Sequence, residues 1–353
     1  MKNKRILVYA AVLAVLLALI YLQFRTWRNF DWGTFWGQFK SIHLVNILRA
    51  VGLIYFTYLL RAWRWEIFLR PTRKNGTIGE LLPPTVIGFT GLALLGRLGE
   101  LIRPYLIARR TKLSFSSQMA VWAVERIFDI GAFTVLIVLA IFLSKDLRFP
   151  YDPAIYPRLR TGGFLLIGFV AALSAGSLIV ARYGNFVADW VQSRFAHLAA
   201  NLGQRIAQKI REFHSGLDTI HSFVSFVELS TVSLLMWWSI ALSYREVTHS
   251  YGPALADMTV PKVLLLMGSS MLGSLIQLPG VGGGSQLATI SALEHIFKTS
   301  HELAASCGIL LWLVTFVSIV PLGLILAHRE RLSLRRLSDE SHLDEDAEIA
   351  NPA

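Results

Sequence analysis

Charge is what this sequence has little of. Only 16% of its 353 residues are Asp, Glu, Lys or Arg, where a soluble domain carries about a quarter. The shortage argues against a soluble globular chain, which needs a charged skin; a chain whose outside faces lipid needs none. Cysteine is nearly absent. Cys307 stands alone inside an apolar run, which excludes disulfides and cysteine metal sites and leaves a small packing residue. There is no Walker loop with its Gly-Lys-Ser/Thr ending and no dinucleotide fingerprint after a strand. No His-rich or Asp-rich metal constellation and no nucleophile–base pairing stands out, and His295 and His301 read as solvated groups at a membrane edge. No cofactor is expected, and catalysis by this chain is not expected either. Its 34 Lys and Arg exceed its 23 Asp and Glu, for a net charge of +11. The basic residues lie between apolar runs and form no compact stripe with stacking aromatics, which favours anionic lipid headgroups over nucleic acid.

Apolar sequence is what there is in abundance, at 54% of residues and a mean hydropathy of +0.51. A bilayer core about 30 Å thick needs roughly 20 apolar residues of helix. Runs of that kind occupy residues 6–24, 44–60 (with Arg49 inside), 116–143 (with Glu125, Arg126 and Asp129), 161–181, 229–244 and 303–327. The first follows Lys2, Lys4 and Arg5 and runs into Arg25 without a small-residue cleavage site, so it reads as an uncleaved anchor. Two more runs are short. Residues 83–96 open with Pro83-Pro84 and contain three glycines; residues 263–278 hold Gly268 and Gly273 and end in the breaker Pro279-Gly280-Val281-Gly282-Gly283-Gly284.

Charge decides what the two short runs do. With a cytoplasmic amino terminus, two crossings return the chain inside at Arg61, Arg64, Arg70, Arg73 and Lys74. A full crossing by 83–96 would put Arg103, Arg109, Arg110 and Lys112 outside, whereas a dip and return keeps them inside, as the positive-inside rule prefers. The same count later requires the 263–297 region to enter and leave on the outer side. The economical fold is therefore an all-α polytopic membrane protein with six full spans and two re-entrant hairpins in an inverted-repeat-like arrangement, and both termini cytoplasmic. Eight full spans is the alternative. The predicted membrane domain covers residues 1–330. It includes an amphipathic stretch at 185–225, where Val187, Val191, Phe195, Leu198, Leu202 and Ile206 recur every three or four residues. That stretch suits the cytoplasmic surface or the protein's own loops equally. The acidic tail at 331–353 is expected to be disordered.

Three strings could carry function. In Gly96-Arg97-Leu98-Gly99-Glu100-Leu101-Ile102-Arg103, spacing by three puts Arg97, Glu100 and Arg103 on one helical face. Charges near membrane depth are expensive and are kept where they meet partners, water or substrate. An arginine fork suits phosphate, and glycine lets backbone approach a ligand. Glu125, Arg126 and Asp129 lie within one turn of a span and could pair with Arg97 or Arg103. A salt-bridged loop and a structural ion pair are the plain readings of these two strings. Pro279-Gly280-Val281-Gly282-Gly283-Gly284-Ser285-Gln286 is a glycine-rich loop opening a helix, suited to anion binding by free amides and equally to a hinge. Arg61 and Arg64, beside Trp63 and Trp65, read as interfacial anchors.

Together the strings resemble the transmembrane region of the lysylphosphatidylglycerol synthase family, in its stand-alone, flippase-like form. The resemblance covers about residues 5–330. It rests on Arg64-Trp65, on Arg97, Gly99, Glu100 and Arg103, on Glu125, Arg126 and Asp129, and on Pro279, Gly280, Gly282 and Gly283. Gln286 stands where many relatives carry Glu, and the soluble aminoacyl-transferase domain of the full-length synthases has no counterpart in these residues. The resemblance implies a lipid flippase of the bacterial inner membrane, moving a phospholipid or a polyprenyl-phosphate lipid, with a synthase partner or a homo-oligomer conceivable. Arg64, Arg97, Gly99, Glu100, Arg103, Glu125, Arg126, Asp129, Pro279, Gly280, Gly283 and Gln286 are the substrate-site candidates. The alternative is a membrane enzyme, or an accessory to one, in lipid-linked glycan or aminoacyl-lipid synthesis.

Overall fold

A computed structural model describes residues 30–71, 77–144, 155–195, 204, 206–208, 211, 223–274 and 283–330. The expected anchor at 6–24, Lys74, most of the amphipathic stretch, Pro279, Gly280 and the acidic tail lie outside the described residues. The elements are helices throughout: α1 Trp32–Lys40, α2 Leu44–Leu69, α3 Ile78–Leu95, α4 Ile102–Thr111, α5 Phe115–Leu143, α6 Ile155–Phe195, α7 Phe223–His249, α8 Val260–Gly273, α9 Gly283–His295, α10 His301–Trp312 and α11 Val320–Arg329. Among the described residues five stretches are long and apolar enough to cross a membrane: Leu44–Leu69, Ile78–Thr111, Phe115–Leu143, Phe223–His249 and His301–Arg329. The chain is an all-α, multi-pass membrane protein.

The second of these stretches is folded in two. α3 ends at Gly96, whose φ of 65° is open to glycine but strained for other residues. A 3₁₀ turn, Gly96–Leu101, then leads into α4, which runs back along α3. Small residues allow the approach. A Cβ on Gly99 would lie 2.1 Å from the Gly91 carbonyl, and one on Gly88 would lie 2.4 Å from the Arg103 Cβ. Length and composition alone make Ile78–Thr111 a single 34-residue span, but these contacts make it a helical hairpin. α3 begins at Ile78, five residues before the apolar run at 83, and carries Pro83 and Pro84 within its body. A second hairpin pairs α8 with α9. A Cβ on Gly273 would lie 2.2 Å from the Gly284 carbonyl and 2.5 Å from the Ala288 Cβ.

Two helices differ from the expected spans for local reasons. α6 continues through residues 182–184, where the pattern suggested a break between a span and an amphipathic helix. One glycine costs a helix interior only about 1 kcal/mol, too little to stop it. Its 41 residues reach about 60 Å and include an apolar stretch at Arg160–Ala175. The last span, in contrast, is interrupted. Pro321 cannot donate to the Val317 carbonyl, and the turn before it loosens to a π-helix at Leu313–Val317. The Ser318 amide bonds Leu313 at 2.9 Å, and the Tyr55 hydroxyl donates to the Ser318 carbonyl at 2.8 Å.

α2 lies along α7 and the first hairpin, with α5 closing the group. α11 packs on α3, where Gly323 meets Thr90. α9 and α10 hold the far side, and α1 caps α10 through Phe30 and Phe35 on Ala305. The main apolar core joins Ile54, Phe133, Ile137, Met267, Leu293 and Leu311.

Candidate functional site

Where α2, α4, α5 and α7 meet, the apolar core gives way to charge. Arg64 is 0% exposed, as is Glu125. Arg64 donates to Glu125 Oε1 at 2.5 Å, to Asp129 Oδ1 at 2.7 Å and to the Ser233 hydroxyl at 2.9 Å. Arg103 takes both Glu125 oxygens, with its Nη1 3.0 Å from Oε1 and its Nη2 on Oε2. Its guanidinium lies 4.4 Å from the Trp65 ring centroid and 5.1 Å from that of Phe89. Trp237 donates its indole N–H to Asp129 at 3.2 Å, and Arg126 stands 3.3 Å from the other Asp129 oxygen. Each buried charge of this network is thus met by an opposite one, which is the condition under which charges persist away from water. Arg64 is the hub of this network and no interfacial anchor.

The geometry separates residues that spacing had grouped. Arg97, Glu100 and Arg103 meet different partners, the first two from the 3₁₀ turn and the third from the helix that follows it. Arg103 enters the network. Glu100 lines a small space with Arg103, Arg126, Trp122, Gly88 and Phe89. Arg97 leaves it and donates to the Ser274 carbonyl at 3.1 Å, at the end of α8. The tips of the two hairpins therefore touch. Gly99 serves the crossing of α3 and α4, with no room for a ligand against it. Gly283, at φ 56°, opens α9, and Gln286 lines another small space beside Tyr244, Ser270 and Thr315. Pro279 and Gly280 are outside the described residues.

Between the network and the second hairpin lies a cavity of about 150 Å³. Arg61, Tyr58, Trp237, Tyr244, Ser270 and Thr315 line it, from α2, α7, α8 and the π-turn. Phe89 is shared with the space around Glu100 and Arg103, while Tyr244 and Ser270 are shared with the space around Gln286. The openings thus form a row from one hairpin to the other. Arg61 was missed as a site residue. Its signal was its position one turn before Arg64 on the same helix, since a face that buries one also turns the other inward.

The family model described as the lysylphosphatidylglycerol synthase TM region matches residues 6–323. The chain belongs to that family. No curated protein and no solved structure matches it. In this family member the three strings fall into different places: Arg64, Arg103, Glu125, Arg126 and Asp129 form one cluster, Arg97 joins the hairpin tips, and the described part of the glycine loop begins α9. Among the described residues no group of three or more His, Cys, Asp or Glu side chains is placed to hold a metal ion.

Proposed function

We propose that this chain is a lipid flippase of the bacterial inner membrane, moving an anionic phospholipid or a polyprenyl-phosphate-linked lipid between leaflets. Both termini would face the cytoplasm and the two hairpins would re-enter from opposite sides. One observation carries the reading: a cavity that holds one buried arginine, Arg61, lies between two helical hairpins whose tips touch through Arg97 and Ser274. Interrupted helices in paired positions are the usual setting for a substrate site at the middle of a membrane. The arginines would attract the headgroup phosphate, and Glu125 and Asp129 would hold Arg64 and Arg103 in place. Parting of one hairpin tip at a time would open the cavity to one leaflet and then the other. The π-turn at Leu313–Val317 lines the same cavity through Thr315 and Phe316, and such turns are frequent at functional sites. The chain would act by transport and not by bond-making. Liposomes holding only this protein and a fluorescent anionic lipid test the reading. Dithionite should bleach nearly all the label, against about half in protein-free vesicles.

A further inference from the structure

The cavity has a cation that the ion network does not use. Arg61 lines it and is 9% exposed. Its guanidinium lies 4.4 Å from the Phe89 ring centroid. It has no ion pair or hydrogen bond among the described residues, and its Nε is fully buried without an acceptor. Asp129 and Glu125 attract it from a distance, and Arg64 and Arg126 repel it. Tyr58 lines the cavity as well, and its hydroxyl also has no hydrogen-bond partner among the described residues. Arg64 and Arg103, by contrast, are each ion-paired with carboxylates, although the Arg64 Nε also lacks an acceptor.

We infer that Arg61 is the anion-recognition residue of the cavity, and that the cavity takes a monoanionic phosphodiester headgroup, with Tyr58 as second donor. The inference deepens the transport reading and rests on it for the identity of the cavity. A buried guanidinium with free N–H groups is held at a cost unless an anion meets it. Its planar fork matches two non-bridging phosphate oxygens. Charge balance sets the class of anion. Four guanidiniums (Arg61, Arg64, Arg103 and Arg126) stand near three carboxylates (Glu100, Glu125 and Asp129), which leaves one positive charge in excess. One negative charge neutralises the group, whereas a diphosphate would overfill it. The other polar lining groups, such as Ser270 and Tyr244, are neutral hydroxyls already joined to each other at 3.3 Å.

Titration calorimetry on the purified full chain in detergent tests this without any transport step. The probes are dihexanoyl phosphatidylglycerol, neutral dihexanoyl glycerol, geranyl diphosphate and inorganic phosphate. Wild-type protein should bind the phosphatidylglycerol most tightly. Arg61→Gln should weaken that binding at least tenfold, Arg61→Lys should fall between, and Arg49→Gln, exposed on the same helix, should change nothing. Arg61→Gln should unfold no more easily than wild type, because it removes no ion pair, whereas a merely structural role would lower its stability. Equal affinity in wild type and Arg61→Gln overturns the site. Tighter binding of geranyl diphosphate overturns the monoanion assignment, and equally tight binding of inorganic phosphate overturns the lipid-headgroup assignment. Arg61-dependent binding without leaflet exchange sinks the transport reading and leaves the site; exchange untouched by Arg61→Gln does the reverse.

Discussion

Glu125→Gln removes one charge and almost no volume from the centre of the ionic network, so its cost can be worked from the contacts it breaks. Glu125 accepts from Arg64 at 2.5 Å and from Arg103 through both oxygens. After the change Arg64 keeps Asp129 and Ser233. Arg103 keeps no carboxylate in contact among the described residues, only the Trp65 and Phe89 rings. Breaking a buried ion pair by neutralising one partner costs about 3–5 kcal/mol, chiefly because the other charge is left uncompensated. At about 1.4 kcal/mol per tenfold change, the folded-to-unfolded ratio should fall more than a hundredfold. Reversible unfolding in mixed micelles, followed by far-UV circular dichroism, measures this. The double variant Glu125→Gln, Arg103→Gln should recover part of the loss, because the stranded charge leaves with its partner, and the coupling should fall within the roughly 0.5–3 kcal/mol seen for residues in contact. A single variant within about 0.5 kcal/mol of wild type, the range of an ordinary surface change, would refute the network as a stabilising unit.

Three further outcomes are expected. Arg103→Lys keeps the charge but loses the two-pronged contact with Glu125 and the stacking between Trp65 and Phe89; leaflet exchange should fall several-fold with the protein still inserted, and unchanged exchange would remove Arg103 from the mechanism. Gly99→Ala would drive a Cβ to 2.1 Å from the Gly91 carbonyl, so the hairpin cannot close and yield of folded protein should collapse, while Gly162→Ala, with nothing within 4 Å, should be neutral or stabilise by up to about 1 kcal/mol; size-exclusion recovery compares the two. Cysteines at Ile78 and Arg109, the outer ends of the first hairpin, should react with an impermeant maleimide from one side of the membrane only and from the same side, whereas labelling from opposite sides would make α3 and α4 a single crossing.

The spans were legible because hydropathy over about 20 residues needs no partner to be read: residues 44–60, 116–143 and 229–244 all lie within long helices. The turn of the first hairpin was legible from Gly96, a helix breaker at the end of a short apolar run. Helix ends were less so. Nothing local at 182–184 stops a helix, and Pro321 breaks one only through its effect on Val317, four residues back. The cluster Arg103, Glu125, Arg126 and Asp129 followed from the cost of unpaired charge. Arg64 and Arg61 were misplaced, because arginine beside tryptophan at the end of a span reads as an interface, and only the tertiary packing of α2 against α5 and α7 turns that end inward. Arg97 separated from its neighbours because its partner, the Ser274 carbonyl, lies 177 residues away at the end of α8, a contact no local pattern shows.

If the hairpin tips are the moving parts, holding them together must stop transport. Cysteines at Arg97 and Ser274, joined by a short reducible bis-methanethiosulfonate linker, would fix the contact seen here; the native thiol, Cys307, is buried and should not compete. In liposomes containing only this protein and a labelled phosphatidylglycerol, the linked protein should leave about half of the label protected from dithionite, and a reducing agent should restore bleaching to the level of the unlinked double variant. Linked protein that exchanges the lipid as fast as the reduced form would contradict transport through opposed hairpins.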